Sequence, residues 1–260
     1  MNASSGLCPW TDRLDPRPAS LAVKAPFTQS VNIPYEELPL RVHELPTKGA
    51  RVVLPDVGEL THRTAEWLKT RQIEAQVVPF EEGESGALYR LWKPNAFLMD
   101  SIAGLQPGKA LDLGCGCGRE AVALAAEGWH VTAVDHLPDA LELGKGLARR
   151  YAPNGKDNIQ WRCEDALNFK PTFEDLDLVY LLFFYDIRLL PTVYQALKPG
   201  GRLVIESFST LHREQFGKPT ANRCIDISQW ESHAEGFHIE SMIEQWIGER
   251  HIAHIVAQKD

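Results

Sequence analysis

The chain has 260 residues, 44% of them hydrophobic and 24% charged, with a formal charge of −8, a composition that supports one large globular domain or two modest ones. The acidic balance speaks against a protein that grips phosphate backbones, which collects Lys and Arg on one face, so nucleic acid is not expected as a partner. No stretch nears the roughly 18 consecutive apolar residues of a membrane span, and the opening MNASSGLCPW lacks a basic start and an apolar signal core, so a cytoplasmic protein without membrane association is expected.

Short β-branched runs alternate with helix-like stretches, the rhythm of βα units around a mainly parallel sheet. In chain order, strands are predicted at Arg13–Leu14, Val31–Ile33, Val52–Leu54 and Ala75–Val78. A helix is predicted over Glu59–Thr70, with Leu60, Ala65, Trp67 and Leu68 on its inward side. Prolines at 16, 18, 26, 34, 39 and 46 forbid long elements elsewhere in this part. The polar run Glu81-Glu82-Gly83-Glu84-Ser85-Gly86 marks a break. Residues 1–80 are therefore read as one domain, 81–88 as a linker and 89–260 as a second domain.

The second domain opens with a lead helix within Tyr89–Ile102. It continues as strand Lys109–Leu113, helix Arg119–Glu127, strand His130–Val134 and helix Asp139–Tyr151. Strands Gln160–Cys163, Leu176–Phe184 and Arg202–Glu206 follow, with a helix at Leu189–Leu197. Ser207–Trp230 reads as a long irregular segment. Phe237–Trp246 and His251–Gln258 lie too close in sequence for a parallel crossover and are expected to pair antiparallel.

The chemistry sits at Asp112-Leu113-Gly114-Cys115-Gly116-Cys117-Gly118, where glycines occupy every second position between a strand and a helix. A dinucleotide fingerprint is G-x-G-x-x-G, with a pyrophosphate at the helix N-terminus. Here the third glycine comes one residue early, and Asp112 just before the loop would repel a diphosphate yet attract an ammonium or sulfonium. Asp135 ends the next strand, where a carboxylate can accept from ribose hydroxyls, and Asp165 ends the one after, placed to meet the amino group of an adenine. Taken singly, Asp135 could be a helix cap and Asp165 a turn residue; in this order they point to a nucleoside site.

Of five cysteines, Cys115 and Cys117 form a C-x-C pair, but no second close pair completes four ligands and no metal site is expected. His251 and His254 face opposite sides if they lie on a strand, which argues against a joint metal role. Trp92, Pro94, Asn95 and Phe97 read as core packing of the lead helix or as a cover over one end of the ligand.

Leu111–Gly118, Asp135, Asp165 and Leu197-Lys198-Pro199-Gly200-Gly201 resemble the ordered motifs of class I S-adenosylmethionine-dependent methyltransferases, closest to the tellurite-resistance and thiopurine type. The resemblance implies an α/β, Rossmann-like sheet with an antiparallel last strand and S-adenosyl-L-methionine as cofactor. It sets Asp112, Gly114, Gly116 and Gly118 against the methionine part, Asp135 on the ribose and His136 beside the adenine. Asp165 and Ala166 would read the adenine edge, and Leu181 would line the methionyl side through its backbone. The implied partner is a small-molecule methyl acceptor, a thiol or chalcogen compound by that likeness. A soft acceptor needs no base, so no catalytic residue is assigned. Tyr185, Asp186, His212, Arg213, Arg223 and Cys224 are the candidates near the methyl group.

The first domain resembles a rhodanese in the order Arg13–Pro18, Ser30–Pro34 and Val52–Leu54. Where rhodaneses carry a reactive cysteine this chain has Pro55 and Asp56; proline offers no N–H and aspartate repels an anion, so sulfur transfer is not expected. That degenerate loop leaves open a second reading, a non-enzymatic protein that binds the cofactor or a partner.

Overall fold

A computed structural model describes residues 8–172 and 175–260, so the first seven residues of the expected first domain lie outside the described residues. The chain divides into two compact units, one ending at Lys93 and the other Pro94–Asp260.

The first unit contains β1 (Leu14–Asp15), α1 (Ala19–Ala22), β2 (Val31–Asn32), β3 (Arg51–Pro55), α2 (Glu59–Thr70) and β4 (Glu74–Val78). β1 pairs parallel with β2 and β3 with β4, and an isolated parallel bridge joins Arg13 to Val53. α2 keeps its predicted bounds but not its predicted face: the buried stripe is Thr61, Thr64 and Leu68, while Leu60, Ala65 and Trp67 are only half-buried. Threonines go inward because their hydroxyls donate to nearby carbonyls, Thr61 to Pro55 at 2.6 Å and Thr64 to Leu60 at 2.7 Å, so burial leaves no orphaned polar group. The run expected as a linker hydrogen-bonds into this unit: Thr28 N–H donates to Glu81 O and Gly83 N–H to Pro26 O.

The second unit begins with α3 (Ala96–Ser101), β5 (Lys109–Leu113), α4 (Arg119–Ala126), β6 (His130–Asp135), α5 (Pro138–Tyr151) and β7 (Ile159–Cys163). It continues with β8 (Leu176–Leu182), α6 (Leu190–Ala196), β9 (Leu197–Phe208), α7 (Thr210–Phe216), α8 (Ile227–Trp230), β10 (Phe237–Ile247) and β11 (Arg250–Lys259). The lead helix is shorter than predicted because Pro94 disfavours helix in the residue before it, and the Asn95 side chain then caps α3 by accepting from Leu98 N–H at 2.8 Å. β8 ends two residues early, where Phe183 adopts φ 54 and its N–H donates to Glu206 O. Within the segment expected as irregular, Ser209 caps α7 and Gly217, at φ 72, closes it.

One seven-stranded sheet results, in the order β10-β11-β9-β8-β5-β6-β7. β7, β6, β5, β8 and β9 run parallel, and β11 is antiparallel to β9. The antiparallel pairing of the last two strands is as expected, with Ile247 opposite Arg250 across a tight turn. β5, β6 and β8 are buried on both faces along most of their length, as in a sheet covered on both sides. From β5 the chain builds outward through β6 and β7, then returns to the other side of β5 with β8, so the order reverses between β5 and β8. The crevice at the carboxyl ends of such strands is where open α/β sheets bind ligands.

Candidate active site

The loop after β5 is held open by its own chemistry. Gly114, Gly116 and Gly118 all have positive φ, at 77, 55 and 64. A Cβ on Gly114 would stand 2.4 Å from the Phe184 ring and one on Gly118 2.5 Å from Trp161, so the protein's own packing demands those two glycines. Gly116 differs: nothing lies within 4 Å of the place its Cβ would fill. There a ligand can approach the backbone directly.

Asp135, at the tip of β6, staples this loop. Its carboxylate accepts Gly116 N–H at 2.8 Å on one oxygen and Leu137 N–H at 3.0 Å on the other. A carboxylate offers about four acceptor positions, so roughly two remain for hydroxyl donors. His136 is exposed, with Nδ1 3.5 Å from the same carboxylate. Asp165 closes the turn after β7, accepting Leu167 N–H at 3.0 Å and the Asn168 amide at 3.3 Å. It is therefore a turn residue that also borders the crevice.

A cavity of about 250 Å³ brings together Gly114, Asp135, His136, Asp165 and Ala166. Leu167, Phe184, Asp186, Asn222 and Arg223 complete its lining. Asp186 is engaged in a two-pronged ion pair with Arg188 at 2.9 and 2.7 Å, which draws its carboxyl below the usual range, and the Arg223 guanidinium stacks 4.5 Å above the Phe184 ring. Phe184, Leu167 and Asn222 escaped the sequence reading. Phe184 belonged there to a continuous strand, and only the positive φ of Phe183 turns it onto the loop.

The remaining predicted residues stand outside that lining. Leu181 is core, with its backbone in the β8–β9 ladder. Asp112 is buried beneath the loop beside the Tyr180 hydroxyl. Burial, then Glu120, raises its pKa well above the ordinary carboxylate value; the Tyr180 hydrogen bond opposes the shift and Asp135 adds to it. The same surroundings push up the thiols of Cys115 and Cys117, which are not thiolates. Around Glu120 lies a polar cluster that local sequence patterns do not assemble: Glu206 acts on Glu120, accepts from Asn95 at 2.9 Å and pairs with His254 at 2.9 Å, and Phe97 stacks on the His254 ring at 4.0 Å. Asn95 and Phe97 thus pack and bond within the second unit, while Trp92, which is fully buried, belongs to the first.

The methyl-transfer candidates separate. Asp186 and Arg223 line the cavity, Tyr185 and Cys224 face a neighbouring one, and Arg213 lines neither. His212 is buried and accepts His251 N–H on Nδ1, while His251 meets Ser209 Oγ at 2.6 Å and His254 meets Glu206 from the other face of β11. Among the described residues no three His, Cys, Asp or Glu groups converge to hold a metal, and no helix is long and apolar enough to cross a membrane.

Residues 110–201, which carry the glycine loop and the acid at the tip of β6, match the family model described as a methyltransferase domain, an enzyme domain, and the sheet that holds them has the mixed, Rossmann-like strand order of a methyltransferase fold. Among curated proteins, a demethylmenaquinone methyltransferase of Clavibacter sepedonicus is 35% identical over 115 residues, covering 42% of this chain and 45% of that protein. A ubiquinone/menaquinone biosynthesis C-methyltransferase of Zymomonas mobilis is 30% identical over 150 residues, covering 54% and 57%. The chain spans about half the length of the curated relatives it matches. In fold it is similar to the N-methyltransferase NodS of Bradyrhizobium japonicum in complex with S-adenosyl-L-homocysteine, at 18% identity and a TM-score of 0.51, over 63% of this chain and 83% of that one.

Proposed function

We propose that the protein is a methyltransferase that takes its methyl group from S-adenosyl-L-methionine and passes it to a small molecule. Gly116 carries this reading: a left-handed loop residue at the switch point of the sheet, with open space in place of a side chain, next to a carboxylate with acceptor positions to spare. Asp135 would accept from the ribose hydroxyls, His136 would flank the adenine, and Asp165 with Ala166 would read its edge. Asp112, Gly114, Gly116 and Gly118, with the backbone of Leu181, would border the methionine part. When bound, the cofactor supplies an electrophilic methyl on a sulfonium that leaves as a neutral thioether. The protein's task is then to hold donor and acceptor in line and exclude water, and positioning of that kind accounts for much of the acceleration.

The names of the curated relatives, both concerned with quinone synthesis, favour a ring acceptor. A thiol or chalcogen acceptor, which would dispense with a base, belongs in the same assay. We read the first unit as a rhodanese-like module without sulfurtransferase activity. Its loop after β3 has spent its donors internally: Val57 N–H goes to Thr61 Oγ1 at 2.9 Å and Gly58 N–H to the Asp56 carboxylate at 3.3 Å. No anion cradle is left in those groups.

Titration calorimetry with S-adenosylhomocysteine tests the cofactor assignment, and saturable micromolar binding is the expected outcome. A folded sample that takes up no ligand refutes it. Binding without turnover of any phenol, thiol, selenite or tellurite would favour the non-enzymatic binding protein instead.

A further inference from the structure

A second cavity, of about 290 Å³, adjoins the first. The same two segments wall both: Asp186 and Arg223 face the cofactor cavity, Tyr185, Ile187 and Cys224 face the second, and Asn222 lines both. Only one thickness of chain separates them at Tyr185–Ile187 and Asn222–Cys224, and they meet at Asn222. Small-molecule sites begin at roughly 300 Å³, so the space suits a ligand of one or two rings.

The lining has an apolar back and a polar mouth. Trp230 is fully buried beside Tyr185, and its indole N–H makes no hydrogen bond of good geometry; the Tyr185 pKa is raised by burial and by Asp186 and Asp226. Ile187 and the tyrosine ring complete an aromatic slot. At the mouth, one Asp226 oxygen accepts both Ser228 N–H at 3.0 Å and Ser228 Oγ–H at 2.6 Å, which leaves the other oxygen for a ligand donor.

His233 is the reactive group of this lining. Its Nδ1 lies 3.0 Å from the Gln229 carbonyl oxygen, which can only accept, so in the neutral ring Nδ1 carries the proton. Ser232 Oγ agrees: it gives its own hydrogen to the Gln229 carbonyl at 2.7 Å and so can only accept from Nδ1 at 3.1 Å. The tautomer is fixed, and Nε2 keeps its lone pair. An imidazole oriented through one nitrogen and free at the other is the form a general base takes.

We propose that this second cavity is the methyl-acceptor site, that it takes a hydroxylated aromatic ring of one or two fused rings, and that His233 removes the hydroxyl proton. The proposal rests on the methyltransferase reading of the adjoining cavity. In the step, the acceptor O–H breaks and its proton passes to His233 Nε2. The oxygen pair forms the new O–CH3 bond, and the sulfur keeps the electron pair of the broken C–S bond.

The test uses the full chain saturated with S-adenosylhomocysteine for binding and supplied with S-adenosylmethionine for turnover. Catechol and 2,3-dihydroxynaphthalene are the phenol probes, and thiophenol is an acceptor that ionises unaided. Ile187→Trp, which fills the slot, should weaken catechol binding by about tenfold or more and leave S-adenosylhomocysteine binding within about twofold. If that variant loses the cofactor too, Ala221→Phe fills the cavity from its exposed rim and serves in its place. His233→Gln should bind catechol nearly as the parent does, yet turn it over about 100-fold more slowly, with thiophenol within about threefold. The proposal falls if neither phenol is methylated, if filling the slot leaves catechol binding unchanged, or if both acceptors slow equally in His233→Gln. Failure of the parent chain to bind S-adenosylhomocysteine would instead sink the cofactor assignment and, with it, this proposal.

Discussion

Asp135→Asn separates the two duties of this carboxylate. Its oxygens take Gly116 N–H at 2.8 Å and Leu137 N–H at 3.0 Å, and an amide supplies only one oxygen, so one of those N–H groups must face an NH2. A hydrogen bond to a charged acceptor contributes ~1.5–3 kcal/mol. Because the loop borders an open cavity, water recovers part of the loss, and the lower figure, ~1.5 kcal/mol, is expected for folding. For a domain of this size that lowers Tm by roughly 3–6 °C. Binding should suffer more, since the single oxygen of the amide cannot serve both the loop and two ribose hydroxyls. One lost charged hydrogen bond raises the Kd for S-adenosylhomocysteine about 10- to 100-fold. Scanning calorimetry and isothermal titration on the same preparation read both effects. An Asn variant that melts early but binds within about twofold of the parent would show that Asp135 is a loop staple and nothing else.

Three other perturbations probe the site and its frame. Gly118→Ala must place a Cβ against Trp161 in a left-handed residue and should lose ~2–4 kcal/mol of stability, whereas Gly116→Ala meets only the left-handed penalty of ~1–2 kcal/mol yet should lose cofactor binding; denaturant melts and calorimetry separate the pair. Asp112 holds its proton above the ordinary carboxylate range when folded, so its contribution to stability is present at acid pH and declines as pH rises above ~4. A cation bound beside it has the opposite preference, so S-adenosylmethionine affinity should climb with pH and release a proton, seen as a buffer-dependent binding enthalpy that vanishes in Asp112→Asn. His254→Ala leaves the buried Glu206 carboxylate with Asn95 alone and should destabilise by ~3 kcal/mol, while the double change with Glu206→Gln recovers part of it; a chemical-denaturation cycle measures the coupling.

Much of the second unit was legible in its residues. Glycines at every second position, an acid at each of the next two strand tips and the βα rhythm are local patterns, and they located five residues that share one cavity. What failed to show had a non-local cause. Whether Phe184 continues a strand or folds onto Gly114 depends on the turn at Phe183, and that turn is fixed by the Glu206 carbonyl on a neighbouring strand. On α2, hydrophobicity alone ranks Leu60 and Trp67 above threonine for the inward face, while the carbonyls of Pro55 and Leu60 make threonine the better inward residue.

By itself the sequence determined the alternation of strands and helices in the second unit as far as β9, the loop that bares its backbone, and the antiparallel close of the sheet, since each follows from spacing and residue type over a few positions. Tertiary structure alone decided which glycine has open space in place of a side chain and which is bare for the protein's own rings. It also joined Asn95, Glu206 and His254, residues distant in sequence, and divided Tyr185 and Asp186 between two cavities. Those outcomes turn on distances between atoms far apart along the chain, which periodicity and propensity do not encode.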